Sequence, residues 1–568
     1  MKRILEFIRP YYGRMAAGLS IKFVGTITEL FLPWILSYMI DEIIPTKQMS
    51  MIFLWGGVMI ICSLICVFGN IIANRKASGV ARDTTRAIRH ALFSRISYLS
   101  SAQIDQVTVP SLVSRLTTDT YNLHHFVGMM QRMGVRAPIL LIGGLMVTAT
   151  LDLHLTAILA TVIPLIGIVV TIISRKGVPL FKQLQLKVDG LIRVVRENIT
   201  GARVIKALSM NAHEVNRFSV QNQTVASGEV VANMVMSLSN PAMNILLNIG
   251  LVLVILLGAH RVNTSQMDAG KIVAFLSYFT IITGAMMGVT RMFVMFSRSS
   301  ASAGRVAEIL DMPMDLTVEE KQAEENEWHV EFDDVTFSYN KRRPTIENIS
   351  FKLRRGESLG IIGATGAGKS TIINLLMRFY DIDQGSIRIG GRDVRSIPEE
   401  KLHTMFGVAF QNDVIFSDSV RENIDMGRGL SDEEIKKAVE NAQAAQFISE
   451  LPDTFSEHLN AQGSNLSGGQ RQRLLISRAL AGHPDILILD DSSSALDYRT
   501  DANLRVALNR NYQDVTTIMV ASRISSIANC TEIIVLDEGK VIGQGTHEQL
   551  MKTCDVYREI AETQMGGM

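Results

Sequence analysis

Almost every long uncharged run in this chain falls before residue 300, and the charge density rises sharply beyond it. Runs at about 15 to 40, 51 to 73, 137 to 151 with extensions on both sides, 155 to 174, 231 to 259 and 272 to 290 have the length a helix needs to cross a hydrocarbon layer. Six spanning helices are therefore expected, and an even number returns the chain to its starting side. The 568 residues also exceed what one hydrophobic core organises, so a second domain is expected after the membrane half. Hydrophobic residues at 47% against charged residues at 20% exclude a disordered or highly charged chain. Lysine and arginine at 56 nearly cancel aspartate and glutamate at 55, which leaves no whole-chain field pointing to nucleic acid. The four cysteines, Cys62, Cys66, Cys530 and Cys554, lack metal-ligand spacing and are too few to staple the chain, which fits a reduced, cytosol-facing context.

Basic residues set the expected orientation. The long stretches 74–136 and 175–230 are rich in Lys and Arg, whereas the opposite connections hold only Lys47, none, and Arg261 with Lys271. The positive-inside rule then puts both termini and both long stretches in the cytoplasm, with spans 2 to 5 continuing there as helices. Each pair is expected to end in a short turn, one within Gln103 to Val113 with Pro110 as breaker, the other near Thr200 to Arg203 with Gly201 permitting reversal. Met1 to Pro10 starts positively charged, but its apolar residues recur at helical spacing and no cleavage site follows, so it reads as an interfacial helix rather than a signal peptide. Lys22 and Glu29 are seven residues apart on one face of the first span. Either they line a polar pathway, or Lys22 snorkels to an interface and Glu29 pairs with a basic residue on another span. Asn244 and Asn248 suggest interhelical hydrogen bonds in preference to substrate contact, and Met286, Met287, Met292 and Met295 suit either a plastic ligand surface or ordinary packing.

From about residue 329 short β-rich runs alternate with helical ones, which implies an α/β domain. The expected boundaries are a membrane domain at 1–312, a linker at 313–328 and the α/β domain at 329–568. Gly363-Ala364-Thr365-Gly366-Ala367-Gly368-Lys369-Ser370 follows an apolar run and opens a helical pattern at Thr371, the context of a phosphate-binding loop. Its glycines let backbone amides turn toward phosphates, Lys369 neutralises the β and γ groups, and the Ser370 hydroxyl is placed to hold Mg²⁺. The strand Ile486-Leu487-Ile488-Leu489 ends in Asp490, the second carboxylate a Mg²⁺ shell needs.

Between these lies Leu466-Ser467-Gly468-Gly469-Gln470, which resembles the signature of ATP-binding-cassette proteins, and six spans ahead of one cassette resemble a half-transporter of the exporter type. The implied architecture is a six-helix all-α transmembrane domain followed by an α/β P-loop nucleotide-binding domain. In that family two cassettes pair head to tail, so Ser467, Gly468, Gly469 and Gln470 would cradle the γ-phosphate of ATP held by a partner. The resemblance further implies that Tyr339 stacks on adenine, that Gln411 touches Mg²⁺ and senses the membrane domain, and that Ser494 to Asp497 crosses the dimer seam.

This chain departs from the family at named positions. After Asp490 the family places a glutamate that orients water, whereas this chain has Asp491, one methylene shorter. Six residues after Thr516 the family has a histidine at the γ-phosphate, and here stands Ser522. Ala461 occupies the position of a glutamate usually found ahead of the signature. Both catalytic departures belong to the phosphate-loop side while the signature is intact. A homodimer would carry them in both sites, so a heterodimer with a second, non-identical half-transporter is expected. The resulting expectation is one half of an ATP- and Mg²⁺-dependent exporter in a bacterial plasma membrane, in contact with lipid, moving amphipathic molecules outward. An importer on the same architecture, or an ATP-gated channel or regulatory subunit, stands as the alternative.

Overall fold

The computed structural model describes residues 2–323 and 327–565; residues 324–326 of the expected linker lie outside the described residues. The chain divides into two compact units, residues 1–98 with 109–312 and residues 99–108 with 313–568.

The first unit is helical. Lys2–Ile8 (α1) leads through a 3-10 turn into Tyr12–Tyr38 (α2), followed by Met49–Ser97 (α3). Ser101–Val107 (α4) belongs to the second unit. The chain then resumes with Val109–Ser114 (α5), Thr120–Met133 (α6), Arg136–Leu151 (α7), Leu153–Thr200 (α8), Ala202–Ala207 (α9), Asn211–Ser237 (α10), Ser239–Asn263 (α11) and Ala269–Leu310 (α12). Among the described residues six helical stretches are long and apolar enough to cross a membrane, and they contain the six runs expected from the sequence. At 49 and 48 residues, α3 and α8 are each about 70 Å long, so both extend well past any hydrocarbon layer.

Leu155, Leu159, Val254, Phe275, Tyr278 and Ile282 form the buried centre of this unit. Tyr278 is fully buried and donates its hydroxyl to the Leu30 carbonyl at 2.5 Å, one turn from Pro33 inside α2. Tyr278→Phe removes that bond without changing the packing volume. It is expected to cost about 1 kcal/mol, read as a lower unfolding midpoint of the purified protein.

The two ionisable groups of the first span, Lys22 and Glu29, are satisfied by neighbouring helices. Lys22 donates to Asn70 Oδ1 at 2.6 Å and Asn74 Oδ1 at 3.2 Å across the α2–α3 seam. There Gly25 and Gly69 let the backbones approach, a Cβ on Gly69 meeting Gly25 Cα at 3.6 Å. Glu29 accepts both Arg136 Nη2 at 2.6 Å and Nε at 3.2 Å, which is the pairing with another span that its charge demands. The expected interhelical bonds of Asn244 and Asn248 are absent among the described residues: Asn248 donates to the Asn244 carbonyl at 2.8 Å in its own helix, and both side chains are exposed. A short amide reaches its own i−4 carbonyl before it reaches a neighbouring helix.

The turns also differ from expectation. Pro110 lies in the first turn of α5, where its missing N–H costs nothing, and the break falls at Thr108, whose φ is +69°. Gly201 has φ −88°, so the reversal there does not use glycine's freedom; Ser209 at φ +55° makes it.

The second unit contains β1 (Val330–Phe337), β2 (Ile346–Leu353), β3 (Ser358–Gly363), β4 (Gln384–Ile389), β5 (Arg392–Asp393), β6 (Phe406–Ala409), β7 (Ile486–Asp490), β8 (Thr516–Val520), β9 (Glu532–Asp537) and β10 (Lys540–Gly545). Among the described residues they form an antiparallel sheet in the order β2-β1-β4-β5 and a second sheet in the order β10-β9-β3-β8-β7-β6, parallel from β9 to β6. The strand β7 is buried along its whole length, as a strand covered on both faces requires. Its helices are Lys369–Leu376 (α13), Glu399–Thr404 (α14), Val420–Asp425 (α15), Asp432–Asn441 (α16), Ala445–Ser449 (α17), Gly468–Leu480 (α18), Tyr498–Asn511 (α19) and Ile524–Ile527 (α20), with His547–Thr553 and Asp555–Met565 at the end. Because β3, β8 and β7 are parallel neighbours, their C-terminal ends deliver Gly363, Ser522 and Asp490 to one edge of the sheet.

Candidate nucleotide site

The phosphate loop turns on glycines that no other residue replaces cheaply. Gly366 and Gly368 have φ of +86° and +99°, and a Cβ at Gly368 would meet the Ile346 side chain at 2.5 Å. The loop opens α13, whose first residue is Lys369. Lys369 donates to its own loop at Gly363 O, 2.8 Å, and Ala364 O, 2.9 Å. Burial pushes this ammonium below its usual range, and Asp490 and Asp491 pull it back. A cation held among backbone amides at a helix start fits a polyphosphate.

Ser370 donates to Asp490 Oδ2 at 3.1 Å. Asp490 is 5% exposed, and burial pushes its carboxyl above the usual range, reinforced by Asp491 and opposed by the Ser370 bond and Lys369. A buried carboxylate raised in this way is held short of a counter-charge, which fits a bound divalent cation. A cavity of about 270 Å³ is lined by Thr365, Gly366 and Gly368 to Thr371 of the loop together with Thr345, Gln411, Asp490, Asp491, Val520 and Ser522. Asp491 sits just past the end of β7 at φ +49°, its N–H bonded to Val520 O at 2.8 Å. Its carboxylate accepts the Ser522 hydroxyl at 3.2 Å and makes a long contact with Gln411 Nε2 at 3.5 Å.

The signature stands apart from this cavity. Ser467 caps α18 in a reciprocal box, its hydroxyl accepting Gln470 N at 3.3 Å while Gln470 Oε1 accepts Ser467 N at 2.8 Å. Ser467 and Gly468 are exposed, and Ala461 lies in an exposed turn whose next residue, Gln462, has φ +61°. Tyr339 lies just beyond β1, is 47% exposed, and donates to Thr371 Oγ1 at 3.3 Å, so it stands beside the phosphate-loop helix and not in the core. Sequence reasoning missed Asn374, which donates to the Tyr339 hydroxyl at 3.3 Å, and Tyr380, whose ring meets Tyr339 edge-on at 5.0 Å. The helical spacing of Asn374 from Thr371 could have flagged the first; no motif points to the second.

Comparison with known proteins decides the family. Residues 15–286 match the ABC transporter transmembrane region, and residues 346–494 match the ABC transporter model, which spans Gly363 to Ser494 of the site. The chain is 31% identical over its full length to the uncharacterized ABC transporter ATP-binding protein YfiB of Bacillus subtilis, covering 99% of that protein. The chain belongs to the ABC transporter family. This transporter is also 29% identical to the putative ABC transporter ATP-binding protein exp8 of Streptococcus pneumoniae, with 100% of this chain and 98% of that one aligned. Its fold matches that of a solved bacterial Atm1-family ABC exporter with ATP bound at a TM-score of 0.82 over 98% of each chain, at 23% identity. It is thus a half-transporter with the exporter-type fold, and its family membership implies transport coupled to an ATPase.

Proposed function

We propose that this ABC transporter is one half of a heterodimeric exporter whose own phosphate-loop site holds Mg·ATP and hydrolyses it poorly, while its signature completes a competent site on a non-identical partner. The observation that carries this is the pair Asp491 and Ser522, bonded to each other at 3.2 Å beside an intact phosphate loop. Asp491 is one methylene shorter than the glutamate the family uses, which draws its carboxylate back by about an ångström from where it would activate water, and a misplacement of that size costs about 10²-fold. Ser522 is neutral and short, so it cannot reach a γ-phosphate as an imidazole does.

The binding groups remain. Tyr339 offers an exposed ring to adenine, the amides from Gly363 to Thr371 and the Lys369 ammonium meet the phosphates, and Ser370, Asp490 and Gln411 would hold Mg²⁺, which when bound neutralises charge on the β and γ groups. The amides of Gly468 and Gly469 with the Ser467 hydroxyl face outward at a helix start and suit a partner's γ-phosphate. A second surface supports assembly: α8, α9 and α10 enclose an open cavity of about 590 Å³ with Val195, Ile199, Ile205, Val215 and Phe218 on its wall, an apolar lining that a partner subunit would cover. The transported molecules are amphipathic, in keeping with spans that present Met287 and many aliphatic side chains on exposed faces. The membrane is a bacterial plasma membrane, with both termini in the cytoplasm as the basic stretches imply.

The test is purification of the chain alone and with its partner. The single chain is expected to bind ATP with negligible turnover, and co-expression to restore hydrolysis by at least about 10²-fold. Rapid ATP turnover by a homodimer would refute the heterodimer.

A further inference from the structure

Tyr339 is held on several sides. Its hydroxyl is anchored by Thr371 and Asn374 of α13, and its ring packs edge-on against Phe337 at 4.8 Å and Tyr380 at 5.0 Å, with interplanar angles of 83° and 89°. Tyr380 also lies 5.7 Å from Phe337, so the three rings form one cluster. In edge-to-face pairs the ring quadrupoles fix the mutual angle, and a tilt of one ring is passed to the next.

The far end of Tyr380 leaves the nucleotide side. Its hydroxyl donates to Asp105 Oδ2 at 2.6 Å, a short bond to a charged acceptor. Burial of the phenol, the bond to Asp105 and the Asp105 charge all push its titration far above neutrality, so it stays a donor. Asp105 lies on α4, which is itself tied to the chain that enters the second unit. Ser100 at its N-cap donates to Asp315 Oδ2 at 2.6 Å, and Gln103 donates to the Pro313 carbonyl at 2.7 Å. Displacement of Tyr380 therefore reaches α4 and the linker directly, without passing through the phosphates.

We propose that Tyr380 is a positioning residue that couples adenine on Tyr339 to helix α4 through its hydrogen bond to Asp105, so that α4 reports the base of the nucleotide and not its phosphates. This rests on the assignment of Tyr339 as the adenine platform. It gives the transporter a way to register ATP on a site that hydrolyses it poorly: the stacked base orders Tyr339, the ring cluster orders Tyr380, and α4 is fixed against the linker.

Hydrogen exchange of residues 99–108 in the full-length protein in lipid nanodiscs tests it, with Mg²⁺ and either ATP, inorganic triphosphate or neither. ATP binding is measured separately. In the wild type ATP is expected to slow exchange of α4 by about threefold or more, and triphosphate to leave it near the unliganded rate. Tyr380→Phe keeps the ring and removes only the hydroxyl, so it should lower ATP affinity by no more than about threefold while α4 stops responding. Asp105→Asn keeps an acceptor oxygen and should retain the response. Equal protection by triphosphate and ATP, or a full response in Tyr380→Phe, overturns the coupling. A wild-type protein that binds no ATP overturns the nucleotide site itself, and the coupling with it.

Discussion

Ser467→Arg is expected to abolish ATP hydrolysis by the assembled transporter, a loss of at least about 10²-fold, while Asp491→Asn costs less than about twofold. The contrast follows from where each residue acts. Ser467 and Gly468 are exposed and stand outside the cavity that contains Lys369 and Asp490, so the Gly468 amide and the Ser467 hydroxyl proton can meet a nucleotide held by another subunit. A bulky cation at Ser467 fills that cradle and also removes the cap of α18, whose hydroxyl now accepts Gln470 N. Ser467→Thr, which keeps the capping oxygen, separates the two effects: activity retained there and lost in Ser467→Arg assigns the loss to the blocked cradle. Asp491 instead lies in this chain's own cavity, bonded to Ser522, at the site that the proposed heterodimer does not use for turnover. Its charge can be removed with little effect if the other site carries turnover. Equal losses from both substitutions, measured as steady-state ATPase activity of the purified complex, would mean that the two sites work symmetrically.

What the sequence made legible follows the range over which each signal acts. The six spans, the phosphate loop and the strand ending in Asp490 rest on runs of a few to about twenty residues, and local physics decides them. The gathering of Lys369, Ser370, Gln411, Asp490, Asp491 and Ser522 around one cavity follows once β3, β8, β7 and β6 are parallel neighbours. Turn positions were less legible, because Thr108 and Ser209 take positive φ under tertiary constraint although neither residue type advertises it. The partner of Glu29 required knowing that α7 packs against α2, 107 residues away. The bond from Tyr380 to Asp105 spans 275 residues and joins a helix that sequence order assigns to the membrane half with a residue of the α/β unit. No periodicity encodes such a pair.

If this chain's own site is slow as proposed, Asp491→Glu combined with Ser522→His is expected to convert it into a hydrolysing one. The cavity already has the groups that bind: the phosphate loop, Lys369, Ser370 and a buried Asp490. Longer side chains at 491 and 522 would leave the 3.2 Å bond that now ties Asp491 to Ser522 and extend toward the nucleotide. Either change alone should do little, because the glutamate supplies the base and the histidine the donor to the γ-phosphate, and groups that act as a unit are far from additive. In the unmodified transporter, labelled ATP on this site should persist through many turnovers of the partner's site and hold the cassettes together, biasing the membrane half without setting the chemical rate. In the double variant it should turn over at least about tenfold faster and shorten the closed state. Rapid filtration of labelled ATP from the proposed heterodimer, with the partner's catalytic glutamate changed to Gln, isolates this site. If nucleotide there is already hydrolysed as fast as the intact complex turns over, Asp491 is a working base despite its shorter reach, and the persistent clamp is excluded.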